Sequence, residues 1–192
     1  MYQEIASANR AQRAIGGMFF SFFGGAGIGV WCLAEFGAGS MMFILDIIVM
    51  LLLLALSLRQ FRKNKQAYDA LAASENQKRV GKLFNLINAL QWAVIFGVSV
   101  ILSRIGEGKW IIPAIIFIVG LHFLPLAKLF GVKRHLIVGV GLIVWSIAYS
   151  TLMPYGPQSA CGPLGAGLIL WLSAIAAIWP VREPDSQTEN RQ

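Results

Sequence analysis

The sequence predicts an all-α, polytopic membrane protein with six transmembrane helices, and composition is the first reason. Of its 192 residues, 57% are hydrophobic and only 13% are charged, which is about half the usual share of charge. A soluble domain of this size cannot bury so much apolar surface. Six stretches also reach or approach the roughly 20 apolar residues that cross a bilayer. They cover about 15-35, 41-58, 84-103, 111-129, 136-153 and 163-180.

These stretches are predicted to pair into three helical hairpins. Lipid offers the backbone no hydrogen bonds, so each span must be a helix that satisfies its own polar groups. Glycines at 37 and 39, and again at 106 and 108, supply two tight turns. A Pro/Gly-rich turn from Pro154 to Pro163 closes the third hairpin.

The distribution of basic residues predicts the orientation. With the N-terminus inside, the inner segments carry fourteen Lys and Arg residues, and the outer turns carry only Arg104 and Lys109. Cytoplasmic loops are the ones enriched in basic residues. Both termini are therefore expected in the cytoplasm, and the lipid bilayer is the expected partner of the spans.

Three segments are predicted to lie outside the six-helix domain, which covers 15-180. Residues 1-14 form a cytoplasmic N-terminal segment, retained because the first apolar run is too long for a signal peptide. Residues 59-83 form a basic cytoplasmic loop, and its helix formers (KQAYDALAA) suggest an extension of span two. Residues 181-192 form a polar tail that is expected to be disordered.

Several function classes find no support in the sequence. The net charge of +7 does not indicate nucleic-acid binding, because the cations sit in short loops and form no basic-aromatic module. His122 and His135 are thirteen residues apart and belong to no Cys/His/carboxylate cluster, so no metal site is predicted. No hydrolase, zinc-protease or phosphate-loop motif occurs, and no cofactor is expected.

A faint internal repeat relates the first two hairpins. Shifting residues 33–61 by 69 positions lays them on 102–130 without a gap, and it superposes the two glycine turns and the helix ends. The two units would have the same orientation, as in transporters built from parallel repeats.

Two ionisable side chains inside spans are the main candidates for a site. Asp46 lies about five residues in from the outer end of span two, and His122 lies deeper in span four. Such groups mark function by default, although Asp46 could instead reach the interface and His122 could simply bond across a helix interface. Pro125 leaves the carbonyl of Leu121 without its usual donor, which predicts a helix kink beside His122.

Polar and small residues on neighbouring spans extend this hypothesis into a polar pathway. In span three, Asn88 and Gln91 fall near the height of His122, and Ser99 falls near that of Asp46. Helix–helix hydrogen bonding is the alternative explanation. In span five, one face carries Gly139, Ser146, Tyr149 and Ser150.

A stripe of small residues on span one predicts close packing with a neighbouring helix. The stripe consists of Gly17, Ser21, Gly24 and Gly25, and Cys32 and Glu35 continue the same face.

Cys32 and Cys161 are the only cysteines, and both are predicted at the outer end. In an oxidising compartment they could form a disulfide or remain free thiols, since sequence does not give their distance.

The segment GLHFLPLAKLF resembles a G-x-HFLP segment of a family of small, uncharacterised bacterial membrane proteins of about this length. The resemblance covers roughly ten residues. It implies a multi-pass protein of the bacterial inner membrane and draws attention to His122 and Pro125, but it implies no activity.

Three functions follow as hypotheses. The first is a cation- or proton-linked transporter or channel-like protein, with a polar interior around Asp46 and His122 and with assembly into a homo-oligomer. The second is a non-enzymatic scaffold, sensor or accessory subunit. The third, an intramembrane enzyme acting on a lipid or quinone, is less favoured, because only Asp46, His122 and Tyr149 are available for it.

Overall fold

The computed structural model describes residues 2–72 and 75–179, and the side chains of 6–70 and 78–179 within them. The described part is all-helical, with 91% of its residues in helices and no strand. The six long helices are α1 (Tyr2–Phe36), α2 (Met41–Ala72), α3 (Glu75–Arg104), α4 (Ile111–Phe130), α5 (Lys133–Leu152) and α6 (Cys161–Ile178). Each contains a segment long and apolar enough to cross a membrane.

The helices extend beyond the predicted spans at two places. Residues 59–72 continue α2 and residues 75–83 belong to α3, so the described part of this stretch is helical. Its helix formers favour this conformation. At the N-terminus, α1 includes residues 2–14, where Ala8, Ala11 and Ala14 are buried. The predicted tail 181-192 lies outside the described residues.

Four helices build the main core. Its buried residues come from α1, α4, α5 and α6, and α2 and α3 contribute none of them: Phe20, Ile116, Val138, Leu142, Tyr149, Ala166, Leu170 and Ala174. Helix α2 packs along α1, and α3 packs along α4. In the most apolar window of α1, 44% of the residues are buried, against 6% in that of α3. Helix α3 is therefore the most peripheral of the six.

Glycines set the closest helix contacts. The backbones of α4 and α5 meet at Gly120 and Gly139, where a Cβ on Gly120 would lie 2.8 Å from the Gly139 carbonyl oxygen. Helices α1 and α6 meet in the same way, since a Cβ on Gly167 would lie 2.6 Å from the Gly24 carbonyl oxygen. Small residues allow this approach in place of the hydrophobic driving force that lipid removes.

Arg13 ties the ends of α1 and α6 together. Its Nη2 donates to the carbonyl oxygens of Ala176 (3.0 Å) and Trp179 (3.1 Å). These carbonyls lie at or just beyond the last turn of α6, where the helix offers no N–H donors to its own carbonyl oxygens and the helix dipole favours a cation. This contact holds the beginning of α1 and the end of α6 at the same end of the bundle.

The turns agree with the predicted repeat, whereas the packing of the two hairpins differs. Gly37 and Gly106, equivalent under the 69-residue shift, have φ angles of 80° and 78°. The left-handed conformation at both explains why glycine is used there. However, continuing the shift into the helices sets Gly25 and Gly29 of α1 on Val94 and Val98 of α3. Helix α3 therefore lacks the residues that let α1 approach α2 closely.

Replacing Gly120 with alanine should destabilise the bundle, because its Cβ would be forced against the Gly139 carbonyl. Overpacking of this kind costs about 1–3 kcal/mol. The matched control is Gly97→Ala in α3, whose Cβ would meet nothing within 4 Å. Thermal unfolding in detergent should show a lower midpoint for Gly120→Ala and an unchanged or slightly higher one for Gly97→Ala. Equal midpoints for the two variants would contradict the close approach of α4 and α5.

Candidate functional site

Asp46 lies buried between α1 and α2, with 5% of its surface exposed. A Cβ on Gly29 of α1 would lie 3.2 Å from its Oδ2 atom, so the absence of a side chain at Gly29 makes room for the carboxylate. Cys32 lies one turn further along α1 and has 1% of its surface exposed. The Oδ1 atom of Asp46 is fully buried and has no hydrogen-bond partner among the described residues.

A regular antiparallel register between α1 and α2 fixes this position. Gly25 faces Met50, and Gly17 faces Ser57, where a Cβ on Gly17 would lie 2.8 Å from the Ser57 hydroxyl. The small-residue stripe predicted on span one is thus the face that receives α2 and α6. Ser57 repeats the situation of Asp46 near the other end of the apolar part of α2, because its hydroxyl is buried without a partner in the described part of the chain.

The chemistry of the Asp46 pocket follows from its surroundings. Moving an ionised carboxylate into an apolar environment is costly unless hydrogen bonds or a counter-charge compensate it. No Lys or Arg within the described residues forms a salt bridge with Asp46. A proton or a bound cation is therefore the species that would neutralise this carboxylate.

His122 belongs to a different part of the bundle. It is half-buried on α4 beside Phe123, with ring centroids 5.7 Å apart. Its Nδ1 atom is buried and unpartnered among the described residues, and the Nδ1 atom of His135 on α5 shares this condition. The His135 ring stacks on Phe123 at 6.0 Å, so Phe123 contacts both histidines.

Two of the predicted pathway residues of α3 lie at the level of His122. The contact between Phe84 and Phe130, with centroids 5.8 Å apart, sets the antiparallel register of α3 and α4. Along that register Gln91 comes level with Phe123, and Asn88 lies about one turn from it. Both are half-buried. Ser99 is also half-buried. It lies about two helical turns beyond Gln91, toward the C-terminal end of α3.

Tyr149 lies in a third part of the bundle, apart from Asp46 and His122. It is completely buried on α5 and stacks on Trp145 at 6.1 Å. Its ring occupies the space that a side chain at Gly162 of α6 would need. Its hydroxyl has no partner among the described residues. The predicted face of α5 is buried as a whole, and Ser146 donates to the Pro113 carbonyl oxygen at 2.8 Å.

The predicted pathway residues are thus distributed over three helix interfaces. Asp46 lies between α1 and α2, and Tyr149 lies between α5 and α6. Asn88, Gln91 and Ser99 lie on α3, whereas His122 lies on α4 beside Phe123. Helix α4 continues through Pro125 as one element to Phe130. Sequence reasoning missed His135 as a neighbour of His122, Ser57 as a buried polar group, and Arg13 as the link to α6.

The two cysteines lie on different helices, Cys32 on α1 and Cys161 at the beginning of α6. Cys32 and Cys161 are both unbonded; Cys32 is buried and Cys161 is half-buried.

No group of three or more His, Cys, Asp or Glu side chains within the described residues could hold a metal ion. Comparison of the chain with protein-family models, with curated proteins and with solved structures finds no match.

Thiol labelling checks the placement of the two cysteines. The intact mass of purified protein should equal that of the fully reduced chain. A maleimide should label Cys161 faster than Cys32 in the folded protein, because Cys32 has 1% of its surface exposed. Single variants, Cys32→Ala and Cys161→Ala, assign the two rates. Faster labelling of Cys32, or a mass that shows a bonded pair, would contradict the placement.

Proposed function

We propose that the protein is a small transporter or channel-like protein of the membrane that moves protons or monovalent cations, with Asp46 as the binding carboxylate. The observation that carries the proposal is the buried, unpartnered Oδ1 atom of Asp46 between two apolar helices. Ionisable groups within spans mark ion pathways and proton relays more often than they serve packing. If Asp46 only stabilised helix packing, its carboxyl group would be expected to have a hydrogen-bond partner.

In this proposal the ion enters from the end of the bundle nearer Asp46. The carboxylate lies five positions from the beginning of α2 at Met41, which is about 7 Å along the helix axis. Ser57 lies a further eleven residues along α2, or about 16 Å, and offers the next buried oxygen of the α1–α2 interface. His122, Asn88 and Gln91 would form a second group of polar side chains, which Asp46 does not contact.

The membrane topology is part of the proposal. Contacts from Arg13 to α6, and from Phe84 to Phe130, place the beginnings of α1 and α3 at the same end as the ends of α4 and α6. That end carries most of the chain's cations, which supports a cytoplasmic location for it and for both termini. The resemblance of the G-x-HFLP segment supports the bacterial inner membrane.

A second candidate, an accessory subunit or scaffold, is favoured by α3. This helix carries half-buried Asn88 and Gln91 but packs on little besides α4. A second copy of the chain, or another membrane protein, would satisfy these amides. Reconstituted protein that carries out no flux, but co-purifies with a partner that Gln91→Leu releases, would favour this candidate.

Replacing Asp46 with asparagine should abolish flux, since the amide keeps the size of the carboxyl but binds neither a proton nor a cation. The measurement is the change of internal pH in proteoliposomes of the full chain under an imposed potassium potential, repeated with Na⁺ and K⁺ outside. The matched control is Asp69→Asn, an exposed acid on the same helix that pairs with Lys65.

Wild-type and Asp69→Asn proteins should carry out equal flux, and Asp46→Asn should fall to the level of protein-free vesicles. Flux that is unchanged in Asp46→Asn removes Asp46 from the pathway. Wild-type flux at the protein-free level overturns transport itself.

A further inference from the structure

A basic groove runs along one face of α2 where its apolar part ends. Five residues line it: Ala55, Leu58, Arg59, Arg62 and Lys63. Its volume is about 450 Å³. Each residue has another of the set three or four positions away, which places all five on one side of a helix. Because a single continuous helix supplies the whole lining, the groove is shallow and open, and it needs no rearrangement of the bundle.

The groove has two chemically different halves. Ala55 and Leu58 continue the apolar segment of α2, and Arg59, Arg62 and Lys63 follow immediately. A ligand that fits both halves must itself be amphiphilic, with an apolar part toward the membrane and an anionic part beyond it.

The three cations have no counter-charge in the described part of the chain. All three side chains are exposed. The neighbouring acid, Asp69, pairs with Lys65 instead, and Arg59, Arg62 and Lys63 take part in no salt bridge or hydrogen bond there. Guanidinium groups bind phosphate through two parallel hydrogen bonds, and lysine adds a compact charge.

We propose that this groove binds the phosphate of an anionic phospholipid, with Arg59, Arg62 and Lys63 around the headgroup and an acyl chain along Leu58 and Ala55. A juxtamembrane basic cluster is the arrangement by which membrane proteins attract acidic lipids. The apolar half distinguishes the site from a nucleic-acid or free-phosphate site, neither of which would use it. The proposal is independent of transport through Asp46.

The test is native mass spectrometry of the full chain in a neutral detergent, titrated with phosphatidylglycerol or phosphatidylcholine. The test variant is Arg59→Gln/Arg62→Gln/Lys63→Gln. The matched control is Lys82→Gln/Lys128→Gln/Lys133→Gln, which removes three exposed cations at the same end of the bundle. Both variants have the same net charge, so a general attraction would fall equally in the two.

The wild-type protein and the control should prefer phosphatidylglycerol equally. The test variant should lose affinity for it by on the order of 100-fold, at about fivefold per cation, while its weak binding of phosphatidylcholine stays the same. Equal losses in the two triple variants would overturn the proposal, as would a wild-type protein that does not distinguish the lipids.

A second variant tests the apolar half without changing charge. Ala55→Trp should fill the groove and weaken phosphatidylglycerol binding, and a thermal midpoint equal to that of the wild type verifies its fold. Inorganic phosphate that binds the wild type as tightly as phosphatidylglycerol, with Ala55→Trp affecting neither, would identify a free-phosphate site and overturn the lipid assignment.

Discussion

The close approach of helices at glycine is the constraint on which this structure depends. Lipid removes the hydrophobic force between helices, so backbone-to-backbone packing must hold the bundle. Helix α1 supplies most of these close contacts. It packs against α2 at Gly25 and Gly29 and against α6 at Gly24. The same contacts bury Asp46, which keeps only 5% of its surface exposed. Its Oδ1 atom finds no hydrogen-bond donor among the described residues, and this is what makes the carboxylate a candidate for ion binding.

The second hairpin shows what happens when the glycines are absent. Under the repeat, Val94 and Val98 stand where α1 has Gly25 and Gly29, and Ile115 stands where α2 has Asp46. Helix α3 accordingly lies at the periphery, and no acid is buried at the equivalent place. The second hairpin thus lacks both the glycines and the acid. This is expected if the glycines of α1 are there to make room for the Asp46 side chain. The polar residues of α3 remain available to α4 or to a partner.

The sequence was informative where a property is local to one helix. Hydropathy predicted six helices, the turns at Gly37 and Gly106 followed from glycine, and the buried face of α5 followed from helical period. It was less informative about pairing. Asp46 and His122 were expected to face one interior, but they lie in different interfaces, because the face of one helix does not specify which neighbour covers it. The link from Arg13 to α6 spans 166 residues at its most distant contact and leaves no periodic signal.

The central claim is that a proton or a cation neutralises Asp46 inside the membrane. Infrared difference spectroscopy of the reconstituted full chain, recorded on changing pH and on adding Na⁺ or K⁺, observes that carboxyl group directly. The account predicts a carboxyl band that responds to one of these ions, disappears in Asp46→Asn and persists in Asp69→Asn. A spectrum of Asp46→Asn identical to that of the wild type under every condition would contradict it.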